Sequence, residues 1–134
     1  MKGQYAIALA VAAGFGLGAI AIESLHAQAK GPIYLVTEIN VTNPDGYGKE
    51  YAPKAQASIK AAGGKQIAIG GAGGAGANKV TAVEGDAPKR VVIQVWDSLE
   101  KMQGWRNSAD YKEARKIGDK YATFRSYAVD GLPQ

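Results

Sequence analysis

With His26 as its one histidine and no cysteine at all, this 134-residue chain has few side chains that could do chemistry. Histidine-activated serine or cysteine nucleophiles, His-containing zinc sites and a histidine general base all lose their central group once His26 is set aside. What remains are carboxylates, phenols, amides and arginines. Glu38 is the most telling of these, because it sits in the apolar strand sequence IYLVTEINV, and an ionised carboxylate is rarely buried without a partner. It reads either as an acid/base group or polar anchor, or as half of a salt bridge to Arg90 or Arg125. Tyr34 and Val36 share its face by period-two alternation. In a second strand, RVVIQVW, the same alternation offers Val92, Gln94 and Trp96 if Val91, Ile93 and Val95 pack against helices. A last strand adds either Arg125 and Tyr127 or Phe124 and Ser126, according to a register the sequence does not fix. A carboxylate, an amide, an indole and phenols on one otherwise apolar floor have the composition of a small-molecule pocket. The plainer alternative for Trp96, Tyr34 and Tyr127 is core or interface packing, because aromatic rings dominate burial.

His26 is set aside because it falls in a segment with the pattern of an export signal. Lys2 supplies a positive start, Tyr5 to Ile22 is uncharged and apolar, and Ala27-Gln28-Ala29 fits the A-x-A cleavage pattern. The expectation is a signal over residues 1–29, cleavage after Ala29, and a mature domain over residues 30–134 in the periplasm or outside the cell. The competing reading is an uncleaved anchor, since the apolar run sits at the lower edge of the ~17–25 residues a spanning helix needs. After cleavage no membrane contact is expected. An exported chain without cysteine has no disulfide to staple it, so it relies on its core or on a second subunit.

The formal net charge is +4, and the charges are interspersed, as in KEARKIGDK. That pattern is a solvated surface, and no nucleic-acid partner is expected from it. Gly71, Gly73 and Gly76 formally match the dinucleotide fingerprint G-x-G-x-x-G, but that motif works only where its last glycine opens a helix. Here Lys79 to Gly85 reads instead as an optional strand, so the glycines read as a flexible hairpin loop. No cofactor and no metal is expected.

These residues are positioned by an alternation of strands and helices. Ile33 to Val41 is a strand whose Ile33, Leu35, Thr37, Ile39 and Val41 share the face suited to helices. Asn43 to Gly46 is a turn, and Tyr47 to Ala62 has helical spacing interrupted by Pro53, so the helix either kinks there or starts near Ala52. Gly63-Gly64 stops it, and Lys65 to Ile69 is a short strand. Arg90 to Trp96 is the valine-rich strand, after which Ser98 caps a helix carrying Leu99, Met102 and Trp105. Ser108 caps the last helix, with Tyr111, Ala114, Ile117 or Gly118, and Tyr121 as its stripe, and Thr123 to Val129 closes as a strand. The order β-α-β-β-α-β predicts an α+β, ferredoxin-like antiparallel sheet with helices on one face. The apolar residues of the other face predict that a second copy covers it, giving a homodimer.

Several of these residues together carry a resemblance. Tyr34, Tyr47 and Tyr51, Gly63-Gly64, Glu84-Gly85 before Arg90-Val91-Val92-Ile93, and Trp105-Arg106-Asn107-Ser108-Ala109-Asp110-Tyr111 resemble the domain of unknown function 1330 family. The match runs from about Pro32 to Gly131, and Trp-x-x-Ser-x-x-Tyr is its most specific part. The resemblance implies a dimeric α+β barrel and no assigned reaction. Its wider superfamily includes cofactor-independent monooxygenases, so a cofactor-independent enzyme, or a purely structural dimerisation module, stands beside a small-molecule binding protein. Trp105, Ser108 and Tyr111 read as a structural corner. The family often has a proline after this serine and an arginine about seven residues after the tyrosine; this chain has Ala109 and Gly118, which moves any arginine-based anion site to Arg115 or Arg125.

Overall fold

The computed structural model describes residues 31–72 and 78–133. The expected export segment and the middle of the glycine loop lie outside the described residues. Four strands form one antiparallel sheet: β1 (Ile33–Val41), β2 (Lys65–Gly71), β3 (Arg90–Trp96) and β4 (Ala122–Asp130), in the order β2-β3-β1-β4. Between β1 and β2 lie α1 (Pro44–Gly46), a π-helical turn (Tyr47–Tyr51) and α2 (Ala52–Ala61); between β3 and β4 lie α3 (Leu99–Asn107) and α4 (Ala109–Gly118). This is the expected ferredoxin-like α+β class.

Pro53 explains the irregular first helix. It has no N–H to donate, so it is tolerated in a first turn but not in a helix interior. The chain widens into the π turn, where the Ala52 N–H reaches the Tyr47 carbonyl, and α2 then starts afresh with Pro53 in its first turn. Asn43 caps the start by accepting the Gly46 N–H at 3.0 Å. Gly63, at φ +92°, ends α2 in the left-handed conformation that glycine adopts without strain.

Expectation and structure differ at two places. Residues 79–85 form no strand: Val83 is 97 % exposed and finds nothing to pair with. The second difference is the face of β3. Ile33 pairs with Trp96, Leu35 with Gln94, Thr37 with Val92 and Ile39 with Arg90. Residues paired across an antiparallel ladder share a face, so Arg90, Val92, Gln94 and Trp96 lie under the helices and Val91, Ile93 and Val95 lie on the open face. The burial alternates accordingly. Valine and isoleucine at every second position suit either face, so their apolarity carried no information about parity; the ring of Trp96 needs the thicker helix layer, where it packs 5.2 Å from Trp105.

Two apolar clusters fill the space between sheet and helices. One gathers Ile33, Leu35, Ile59, Trp96, Met102 and Trp105, the other Ile39, Tyr47, Tyr51, Val92, Ala114 and Ala122. Thr37 and Gln94 lie between them on the buried face, and a cavity opens there.

Candidate functional site

The cavity is built on a polar row that crosses the buried face of the sheet. Gln66 pairs with Gln94 and Thr37 with Ser126 across their ladders, so four polar side chains stand where a helix-covered sheet ordinarily carries aliphatics. Thr37 Oγ1 and Ser126 Oγ hydrogen-bond each other at 3.0 Å. Gln94 Oε1 accepts the indole N–H of Trp96 at 3.0 Å. Because an indole N–H only donates, this bond fixes which end of the amide is oxygen and leaves the Gln94 NH2 for the cavity.

The helices close the row with aromatic and cationic groups. The π turn contributes Tyr47 and Tyr51, their ring centres 5.0 Å apart, and both line the cavity. Gly118 permits this arrangement, since a Cβ there would lie 2.7 Å from the Tyr51 ring. Where the resemblance implies an arginine, Gly118 thus leaves space that Tyr51 fills. Burial pushes the Tyr47 phenol above its ordinary value against the lowering pull of Arg90. Burial likewise drives Tyr51 well above the usual tyrosine range, so both phenols are neutral hydroxyl donors near neutral pH.

Arg90 is the unusual member. It is 3 % exposed, lines the cavity, and has its guanidinium carbon 5.2 Å from the Tyr47 ring centre. Its Nη1 reaches the Gly71 and Ala72 carbonyls at 3.3 and 3.4 Å, while its Nε has no partner. No carboxylate pairs with it among the described residues. Gly71 makes the carbonyl contact feasible: at φ +99° its missing Cβ would stand 2.1 Å from the Lys89 oxygen. A buried cation without a counter-charge is costly.

The other two arginines on the lining are already engaged. Arg115 donates from Nε to Asp119 at 2.7 Å and from Nη1 to the Tyr111 hydroxyl at 3.1 Å, and lies 3.9 Å over the Phe124 ring. Burial works against its charge, but those bonds outweigh it and hold its pKa above the ordinary value. Arg106 lies 5.1 Å over Tyr111. Free space within the lining is about 40 Å³, room for about three water-sized spheres. Exposed Gln56 and Ser126 and half-buried Arg106 connect it to solvent.

The residues expected to form one floor are divided between two faces. Gln94 lines the cavity and Trp96 is bonded to it, whereas Tyr34, Glu38, Arg125 and Tyr127 lie on the open face. There Glu38 pairs with Arg125 at 3.3 Å, one of the two salt bridges anticipated for it, and Arg125 stacks 5.8 Å from Tyr127. Trp105 and Tyr111 pack edge to face at 4.5 Å, and Ser108 donates to the Trp105 carbonyl while accepting the Tyr111 N–H. Trp105 also donates its indole N–H to Ser58, and both Trp105 and Tyr111 border the cavity. Thr37, Tyr47, Tyr51 and Arg90 are not among the expected site residues, while Phe124 and Ser126, the second alternative for the last strand, join Gln94 on the lining. The signal for Arg90 was present: it has the parity of Gln94 and Trp96 within one strand.

A family model described as Domain of unknown function (DUF1330) matches residues 32–132. The chain belongs to this family. Comparison with curated proteins finds no match. Among solved structures, a protein of unknown function from Rhodopseudomonas palustris is similar to the DUF1330 domain at 16 % identity and TM-score 0.57, over 78 % of this chain and 85 % of its own. SnoaB, a cofactor-independent oxygenase from Streptomyces nogalater, is similar at 13 % identity and TM-score 0.54, over 78 % and 96 %. A conserved protein of unknown function from Bacteroides thetaiotaomicron is similar at 16 % identity and TM-score 0.53, over 77 % and 100 %. At these identities the likeness is one of fold, and the chemistry of the DUF1330 site is read from its own residues.

Among the described residues, no group of three or more acidic or histidine side chains is placed to hold a metal, and no helix is long and apolar enough to cross a membrane.

Proposed function

We propose that this DUF1330 protein is an exported homodimer that binds one small organic molecule per protomer in the cavity between sheet and helices. The observation that carries the binding reading is Arg90, a buried cation on the lining of a donor-rich space with its Nε unpartnered. The cavity's own groups favour binding over turnover, because the Tyr47 and Tyr51 phenols are held protonated by burial and no carboxylate stands on the lining to exchange a proton. Glu38, the acid/base candidate, is on the opposite face and paired with Arg125.

Pairing of two copies is supported by the open face. Tyr34, Val36, Val91, Ile93 and Val95 are only half-covered there, and Tyr127 and Val129 are 43 % and 50 % exposed. An apolar sheet face of this kind in a small domain calls for a cover, and a second sheet of the same shape is self-complementary under twofold symmetry. Export is supported by the charge, apolar run and A-x-A pattern of residues 1–29.

Thermal-shift screening of the purified domain against small organic acids, amides, alcohols and amines tests the binding reading. The expected result is a concentration-dependent rise in Tm with at least one class, which tyrosine and tryptophan fluorescence also follows. A screen in which no class moves Tm overturns it. Light scattering coupled to size-exclusion chromatography tests the dimer: the expected mass is that of two chains, falling to one in Val36→Glu. A wild-type protein that runs as one chain overturns the pairing.

A further inference from the structure

We infer that the cavity takes a small carboxylate, or an equivalent planar oxyanion, with Arg90 as its counter-charge and the unpartnered Nε as one of its donors. The inference rests on the cavity-binding reading and adds the chemical class of the ligand. Three arginines and no acidic residue stand on the lining, so its field favours an anion. Arg115 is already neutralised by Asp119, which leaves Arg90 as the buried arginine without a counter-charge among the described residues.

The bonding of the guanidinium narrows the class further. Nη1 is held by the Gly71 and Ala72 carbonyls, which fixes one end of the planar group, while Nε has no acceptor. A carboxylate seats with two parallel hydrogen bonds on the edge formed by Nε and Nη2; Nε itself is sealed from water, so that edge opens to a ligand only when its covering side chains shift. Two polar side chains of the lining have donors to offer. The Gln94 amide has its oxygen taken by Trp96 and offers NH2, and the Tyr47 hydroxyl is protonated. A space of about 40 Å³ fits the three heavy atoms of a carboxylate head, with the rest of a larger ligand directed toward the solvent-facing rim at Gln56 and Arg106. A cationic ligand meets the uncompensated charge of Arg90 here, and a neutral amide of the same shape meets donors that its own NH2 cannot satisfy.

Acetate, its neutral isostere acetamide, and chloride are the probes. Each is titrated into the wild-type protein, into Arg90→Gln and into Tyr47→Phe, with Tm as one readout. The second readout is the nitrogen–proton NMR signal of the Arg90 Nε, assigned by its loss in Arg90→Lys. The expected result is that acetate raises Tm and shifts the Arg90 Nε signal with one saturation curve, acetamide and chloride do neither at equal concentration, and Arg90→Gln weakens acetate by about tenfold or more. Tyr47→Phe weakens it by less and keeps the argument testable if Arg90→Gln folds poorly. Equal binding of acetamide and acetate overturns the oxyanion assignment and leaves the cavity reading standing. Chloride acting as well as acetate makes the site one for monoatomic anions and overturns the carboxylate class. A rise in Tm that leaves the Arg90 Nε signal unmoved places the anion elsewhere and overturns the inference. The broad screen described above, not this titration, decides the binding reading itself.

Discussion

Gln94 accepts the indole N–H of Trp96, two residues further along the same strand, at 3.0 Å. The bond joins the largest fully buried side chain of the fold to the polar row that floors the cavity. It also orients the amide, so core packing and the cavity floor share one contact.

Removing the acceptor exposes that coupling. Gln94→Leu leaves the Trp96 N–H buried without a partner and lowers stability by about 1–3 kcal/mol. Trp96→Phe removes the donor but opens a gap in the core. In the double variant the orphaned donor is gone, so the two losses sum to more than the double variant's loss. A double-mutant cycle by urea unfolding measures this, and strict additivity would count against the bond.

Gly118→Ala is expected to disturb Tyr51 rather than the helix. Alanine is the better helix former, so an exposed glycine replaced this way gains stability. Here the new methyl would meet the Tyr51 ring at 2.7 Å and Phe124 at 3.1 Å. Overpacking of that kind costs about 1–3 kcal/mol. A lowered Tm with a changed tyrosine environment in near-ultraviolet circular dichroism is the expected outcome; a raised Tm would show that the ring moves aside freely.

Alkaline pH should destabilise the fold through its buried phenols. Tyr47 and Tyr51 have folded-state pKa values raised above the ordinary 10.0, with burial the leading cause in both. Below about pH 10 the phenols are protonated in both states and their contribution is fully present. Above it the unfolded chain releases these protons first, binds fewer than the native state, and gains in relative stability. Urea midpoints should therefore fall as pH rises past 10, and the fall should shrink in the Tyr47→Phe, Tyr51→Phe double variant.

Glu38→Gln should do little to a single protomer. Its partner Arg125 has a side chain 79 % exposed and its own is 30 % exposed, so the pair contributes less than about 1 kcal/mol. The two residues lie on the face opposite the cavity, and acetate binding should be unchanged. A large loss of acetate affinity in Glu38→Gln would mean that the two faces communicate.

What the sequence determined by itself was the order of elements and their local signals. Period-two alternation in residues 33–41, the serine caps at Ser98 and Ser108, the glycine stop after α2 and the restart of the helix at Pro53 are all consequences of interactions within a few residues. They can be read without knowing the rest of the chain. The Trp105 to Tyr111 segment was legible for the same reason, because one serine satisfies both helix ends within a single turn.

Only the tertiary structure decided which face of β3 is covered. Val91, Val92, Ile93 and Val95 suit either face, so parity is set by register against β1, and a slip of one residue exchanges every side chain between the two sides. That one choice moves Gln94 and Trp96 away from Glu38 and brings them, with Arg90, under the helices. It also joins Thr37 to Ser126 and places Tyr47 and Tyr51 above them, from segments far apart in the chain. Local periodicity carries no information about such meetings; the size of Trp96 and the depth of the helix layer settle them.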